Sequence, residues 1–339
     1  MKEAVIVAAC RTAVGKAPRG TLRNTRPEEM GCAVLGDLLK RAGDLSPDLI
    51  DDVIIGCTFP EATQGLNLGR VLVMSMGWPD RVSGVTVNRF CASGLEAIAI
   101  GAGKIMCGYS DVVIAGGVES MSQIPMGGNM MYPNPALVET RPGAFTPMGL
   151  TAENVAERYG ITRDEQDEFA AKSQQRAEEA IKTGKFKSQI VPLKVRKQIQ
   201  LPNGRFDVEE LVFDTDEGVR PGTTKEGIAH LKPVFKANGT VTAANSSQTS
   251  DGAAGVVLMS KEKAKELGLK PMATFRYYAV EGCPPEYMGV GPAVAIPKVI
   301  KRSGMNLDQM ELIELNEAFA AQAIYCIREL GLNHEIVNV

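Results

Sequence analysis

The chain of 339 residues is poor in aromatic side chains, which make up 5% of it and include a single tryptophan. A large core must therefore be built from Val, Ile, Leu, Ala and Met, and a hydrophobic fraction of 44% with 15 methionines supplies it. Charge bias is also missing. Lys and Arg number 37 against 40 Asp and Glu, a formal net charge of −3, so no nucleic-acid surface is expected. No apolar run is long enough to span a membrane, and Met1-Lys2-Glu3 passes directly into a strand-like run rather than a signal peptide. Only two histidines occur, His230 and His334, and neither has a second ligand at metal-site spacing, so no metal is expected. The seven cysteines lack paired short spacings. That favours a reducing compartment over a disulfide framework, with the cytoplasm as the expected location and an organelle left open. No Gly-x-Gly-x-x-Gly fingerprint follows the first strand, and Gly15-Lys16 lacks the rest of a phosphate loop.

What is present is an alternation of strand and helix patterns. Ala4 to Ala9, Asp52 to Gly56, Val85 to Val87 and Val112 to Ala115 read as strands. Glu28 to Ala42, Leu66 to Met76 and Leu95 to Met106 read as the helices between them. This βαβαβαβ order predicts a mostly parallel sheet covered by helices. The middle of the chain differs. Residues 121–147 read as long loops, rich in Met, Pro, Gly and Asn. Thr162 with Glu165 three residues on forms a capping box that opens a helix over Arg163 to Thr183. Residues 184–236 are charged and irregular. Regular pattern returns with a strand from Asp251 to Leu258 and a short helix at Lys261 to Glu266. A second α/β unit follows, with strands Ala273 to Val280 and Met310 to Leu315 and helices Pro292 to Arg302 and Ala320 to Leu330.

The most informative stretch is Asn88-Arg89-Phe90-Cys91-Ala92-Ser93-Gly94. It places a thiol where a strand gives way to a helix, and free N–H groups at a helix start favour a thiolate. Cysteine is also a frequent core residue, so the local context alone fits either role. The other six, Cys10, Cys32, Cys57, Cys107, Cys283 and Cys326, lie mostly in apolar runs and read as core. Asn316 stands at a comparable strand-to-helix junction, where an amide can hold a water or cap the helix. Gly239 to Gly252 is dense in hydroxyl and amide groups, suited to an amide-bearing ligand or to a plain turn. Arg220 can meet a phosphate or remain a surface residue. The methionines at 121, 126, 130, 131 and 148 can line an apolar tunnel or pack ordinarily.

Seven segments together resemble the thiolases: Asn88 to Gly94, Gly116-Gly117-Val118-Glu119-Ser120-Met121-Ser122, Met148 to Asn154, Arg220 to Thr224, Gly239 to Asp251, Met288-Gly289-Val290-Gly291-Pro292 and Asn316-Glu317-Ala318-Phe319-Ala320. The resemblance covers essentially the whole chain. It implies an α/β fold of duplicated βαβαβαββ halves in a layered α/β/α/β/α core with an inserted loop domain. The halves would be 1–120 with 245–268, and 269–339, with 121–244 as the loop domain covering CoA. It implies an acyltransferase that cleaves 3-ketoacyl-CoA through an acyl-cysteine. Cys91 looks like the acylated residue, and Asn316 like the residue holding a water in an oxyanion hole. Ser247 and Arg220 look like contacts to the pantetheine arm and the nucleotide end of CoA. Met148, Phe235 and Phe319 look like channel linings. Coenzyme A is then a substrate, no cofactor is permanently bound, and a homodimer or homotetramer is implied.

The family's histidine in Gly-His-Pro and its second cysteine in Cys-x-Gly-Gly-Gly do not occur in the sequence. From this the second half is expected to be incomplete and the chain to be a fragment of a longer thiolase. Two alternatives stand beside the degradative enzyme. One is an acetyl-CoA C-acetyltransferase forming acetoacetyl-CoA, against which Pro147 counts, since such enzymes typically carry histidine there. The other is a CoA-binding protein without turnover.

Overall fold

The computed structural model describes residues 2–200 and 203–339. Contacts gather the chain into two compact units. The first is Met1–Met131, Gly184–Gly218 and Thr249–Phe275; the second is Tyr132–Thr183, Val219–Gln248 and Arg276–Val339.

The first unit is built on a sheet of β1 (Ala4–Thr12), β3 (Asp52–Gly56), β4 (Ser83–Val87), β5 (Val112–Ser120), β9 (Ser250–Ser260) and β10 (Ala273–Thr274). Their order across the sheet is β10-β1-β9-β5-β3-β4. Two short strands, β2 (Gly15–Lys16) and β6 (Ile190–Val191), add to β9 and β1. The helices α1 (Pro27–Arg41), α2 (Leu68–Ser75), α3 (Ser93–Met106) and α8 (Lys261–Glu266) complete it. Strand alternation explains why both faces are covered. Val53 and Ile55 join one buried cluster with Met30, Val34, Leu35 and Leu38 of α1. Ile54, between them, joins a second cluster with Ala97, Ala102 and Ile105 of α3. The same split separates Val112 and Ile114 from Val113 and Ala115. Continuous apolar runs in these strands are the sequence signature of a sheet buried on both sides.

The sheet is mixed rather than mostly parallel. β3 pairs parallel with β4 and β5, as the βαβ order predicts. β9 then enters between β1 and β5 and runs antiparallel to both. The strand arrives after the long middle block, so no crossover rule fixed its direction. Charged residues in that block also pair: β7 (Leu193–Gln200) and β8 (Phe206–Phe213) form an antiparallel ribbon, where the sequence suggested only irregular chain.

The second unit is mainly helical. It holds α4 (Pro135–Thr140), α5 (Met148–Arg158), α6 (Arg163–Lys182), α7 (Lys225–Ile228), α9 (Gly291–Ser303) and α10 (Ala320–Leu330). The capping box at α6 is formed: the Thr162 hydroxyl accepts from the Glu165 N–H, and Glu165 accepts from the Thr162 N–H. The strands expected at Ala273 to Val280 and Met310 to Leu315 are largely not formed. The first is reduced to β10, which pairs with β1. The second keeps one parallel bridge, Ile313 to Val337, and Leu315 is paired through the Asn338 side chain instead.

Candidate functional site

Cys91 lies in the tight turn that joins β4 to α3, immediately before the N-cap residue Ala92. Its side chain is exposed. Phe90, just before it, has φ +48°. Helix-start N–H groups and the positive end of the helix dipole lie at this position. The other cysteines divide by environment. Burial pushes the Cys10 and Cys57 thiols up to about 12 and those of Cys32 and Cys326 up to about 11. Burial also raises Cys283. Cys107 is exposed, against the expectation of a core residue, because it falls at the C-cap of α3 where the helix ends in solvent.

Asn316, Ser247, Arg220, Met148, Phe235 and Phe319 lie in the second unit, and Met121, Met126, Met130 and Met131 in the first. Two of them, Phe235 and Phe319, touch, and Met148 and Ser247 stand next to residues that meet this pair. Phe235 and Phe319 meet edge to face with ring centroids 6.1 Å apart. Met148 opens α5, and the following Gly149 presses its backbone on the Phe235 ring, which a methyl there would overlap. The Ser247 N–H donates to the Ala318 carbonyl at 2.9 Å, and Ser246 bridges to Phe319. The hydroxyl-rich run and the Asn316-Glu317-Ala318-Phe319 segment thus lie side by side.

Asn316 is exposed, four residues before α10, and its side chain has no hydrogen-bond partner among the described residues. Its neighbour Glu317 is anchored: the Ser173 hydroxyl of α6 donates to it at 2.6 Å and the Asn338 amide at 2.8 Å. Arg220 is exposed, and its N–H donates to the Gln174 side chain at 2.8 Å. It is not drawn into the Phe235–Phe319 cluster. Of the methionines, Met126, Met130 and Met131 are exposed.

Three buried polar residues that composition did not flag hold the hydroxyl-rich run in shape. Glu153 of α5, 3% exposed, accepts from the N–H groups of Thr240 and Val241 at 2.9 Å and from the Thr240 hydroxyl. Asp167 of α6 accepts from the Asn245 amide at 3.0 Å, and Gln166 donates to the Thr240 hydroxyl at 2.9 Å. A polar residue on the inward stripe of a helix was the available signal, as with Glu153 between Ala152 and Val155.

No group of His, Cys, Asp and Glu able to hold a metal ion occurs among the described residues. No helix among them is long and apolar enough to cross a membrane.

The family model Thiolase, N-terminal domain matches residues 4–262, and Thiolase, C-terminal domain matches residues 269–339. The second match gives no support to the expected incomplete second half. The chain is 52% identical to the 3-ketoacyl-CoA thiolase of Bacillus subtilis over 100% of its own length and 86% of that protein's. It is 44% identical to peroxisomal 3-ketoacyl-CoA thiolase A of Mus musculus, over 99% of this chain and 78% of the relative. Among solved structures, the Bacillus anthracis acetyl-CoA acetyltransferase is similar with a TM-score of 0.86 and 40% identity, covering 100% of this chain and 86% of that one.

Proposed function

The chain belongs to the thiolase family, and from that premise we propose that Cys91 is the nucleophile of its reaction. The protein is an acyltransferase that cleaves 3-ketoacyl-CoA into acetyl-CoA and a shortened acyl-CoA, a step of fatty acid β-oxidation. In this reading the Cys91 thiolate bonds to the 3-keto carbon. The bond between carbons 2 and 3 breaks, and its electron pair leaves on acetyl-CoA, which takes up a proton. The thiol of a second CoA then attacks the acyl-cysteine and frees Cys91. Covalent catalysis divides one difficult substitution into two easier ones.

The observation that carries this reading is the exposed thiol of Cys91 at the start of α3. Its backbone N–H is assigned to one oxyanion hole. Asn316, with its unpartnered amide, is assigned to hold a water in another. Ser247 is assigned to the pantetheine arm, Arg220 to the nucleotide end of CoA, and Met148, Phe235 and Phe319 to the channel lining. The grouping of Ser247, Phe235, Phe319 and Met148 supports these roles. Residues 121–244 are assigned as the loop domain covering CoA, between halves formed by 1–120 with 245–268 and by 269–339. CoA enters as substrate, with no resident cofactor.

A homo-oligomer fits the first unit. β4 is an edge strand with an exposed, apolar centre at Val85. Leu66 is 95% exposed beside it, and Phe90 and Leu95 are exposed as well. An unpaired edge flanked by apolar side chains suits a second copy of the same chain. The cytoplasm is the proposed location, supported by the bacterial relative; the mouse and Arabidopsis thaliana relatives are named as peroxisomal.

The similarity to an acetyl-CoA acetyltransferase keeps a short-chain preference as the competing reading. Pro147 before Met148 favours the broader one. A CoA-binding role without turnover is the other competitor. Consumption of acetoacetyl-CoA and of a long-chain 3-ketoacyl-CoA in the presence of CoA separates all three. Turnover of the long-chain substrate that falls below about one thousandth in Cys91→Ser supports the proposal. Turnover of acetoacetyl-CoA alone, or binding without product, contradicts it.

A further inference from the structure

This inference rests on the assignment of Cys91 as nucleophile. The turn that carries Cys91 adopts a left-handed conformation without a glycine. Phe90, at φ +48°, occupies a region that bulky side chains disfavour. Its own ring does nothing to offset this, being 64% exposed. The compensation comes from the residues on either side.

Ser93 is 4% exposed. Its Oγ accepts from the Arg89 N–H at 2.8 Å and donates to the Phe90 carbonyl at 2.6 Å. One buried hydroxyl therefore closes the turn across Cys91. Asn88 works from the other side. Its Oδ1 accepts from the Phe90 N–H at 2.8 Å, and its Nδ2 donates to the Thr58 carbonyl at 2.9 Å. The Thr58 N–H is fixed in turn by the Glu119 carboxylate at 2.6 Å. The turn is thus tied to the ends of β3 and β5. Gly56, the last residue of β3, lies so close to the Ser93 backbone that a methyl there would overlap the Ser93 carbonyl. The start of α3 is pressed on β3, and the turn cannot relax by moving away.

We propose that Ser93 and Asn88 are positioning residues for the nucleophile. They hold Phe90 left-handed, and this sets the direction of the Cys91 thiol and N–H toward the reacting carbonyl. Their side-chain hydrogen bonds go to the backbone of the turn and of Thr58. Catalysis by a fixed donor depends on its being aimed before the charge develops, so a loosened turn slows acylation while leaving CoA-thioester binding nearly intact.

The test is the rate of Cys91 acetylation by acetyl-CoA in the full-length protein, followed by rapid-quench intact mass. Ser93→Ala is expected to slow acetylation at least about tenfold, the scale of the strain it must hold. The concentration of acetyl-CoA giving half-maximal rate should change less than about twofold, since binding groups are untouched. Ser93→Thr keeps the hydroxyl and should restore most of the rate. Asparagine tolerates the left-handed region better than phenylalanine. Phe90→Asn in the Ser93→Ala background should therefore recover part of the loss, which a generally unfolded variant would not. Acetylation of Ser93→Ala at the parental rate overturns the inference, and so does a loss that Phe90→Asn does not relieve. Cys91→Ser separates this from the parent assignment. If the acetyl group on Cys91→Ser maps to a residue other than 91, the nucleophile is misassigned. If Cys91→Ser takes none while Ser93→Ala reacts at the parental rate, only the positioning role fails.

Discussion

Cys91 and Cys107 are both exposed and stand at opposite ends of α3, Cys91 just before its N-cap and Cys107 at its C-cap. Free N–H groups of the first turn surround the first position, and the free carbonyls of the last turn surround the second. Exposure alone does not distinguish the two; the backbone groups around each do.

Alkylation measures this difference directly. Brief iodoacetamide treatment of the folded protein, followed by peptide mass mapping, is expected to label Cys91 well ahead of Cys107. Cys10, Cys57 and Cys326 should stay unlabelled, since they are buried and their thiols are pushed up to about 12, 12 and 11. Equal labelling of Cys91 and Cys107 would show that the helix contributes nothing to reactivity.

Glu153 is the keystone of the hydroxyl-rich run. Glu153→Ala strands two N–H groups, that of the buried Val241 and that of the half-buried Thr240. A cost of about 2–4 kcal/mol in unfolding free energy is expected from two such losses. If Ser247, carried by this run, meets the pantetheine arm as proposed, the Michaelis constant for CoA should rise as well. Denaturant unfolding and CoA kinetics on one preparation check both.

Gly149→Ala places a methyl against the Phe235 ring. Phe235 must then shift away from Phe319, 6.1 Å from it centroid to centroid. The expected result is a Michaelis constant for acyl-CoA raised several-fold, with helix α5 intact by circular dichroism. Unchanged kinetics would remove Phe235 from the channel.

Glu165 gives a pH-dependent prediction. Its carboxyl is held down to about 2, first by the Thr162 N–H, then by the Arg328 guanidinium and the Thr162 hydroxyl. A depressed carboxylate stabilises the fold above its ordinary value of 4.5, and the benefit fades as pH falls toward about 2. Glu165→Gln should lower the melting temperature at pH 7 by a few degrees at most, the group being largely solvated. The gap from the parent should close through that acid window. A gap that widens on acidification would contradict the assignment.

The oligomer is tested at the β4 edge. Val85→Asp with Leu95→Glu adds charge to an apolar exposed face. Light scattering should show the mass fall to that of one chain. A monomeric parent would end this part of the proposal.

The legible parts of the fold were those where local chemistry and tertiary structure agree. The capping box of Thr162 and Glu165 marked the start of α6, and the apolar runs marked β1, β3, β4 and β5. Long-range pairing was not legible. Nothing in Asp251 to Leu258 says that the strand will insert antiparallel between β1 and β5. Met310 to Leu315 has strand composition, but a strand exists only with a partner, and here a single bridge and the Asn338 amide supply it. Of the candidate residues, Cys91 and Asn316 stood out by residue type at expected strand-to-helix junctions. Ser93, Asn88 and Glu153 did not, because a hydroxyl, amide or carboxylate that braces the backbone declares its role only through the groups it meets.

The central claim is that Cys91 carries the acyl group. The most direct measurement is intact mass of the protein after exposure to acetyl-CoA, with peptide mapping of the adduct. One acetyl group on Cys91, absent in Cys91→Ser and discharged by free CoA, is the predicted result. No adduct, or an acetyl group on another residue, would contradict it.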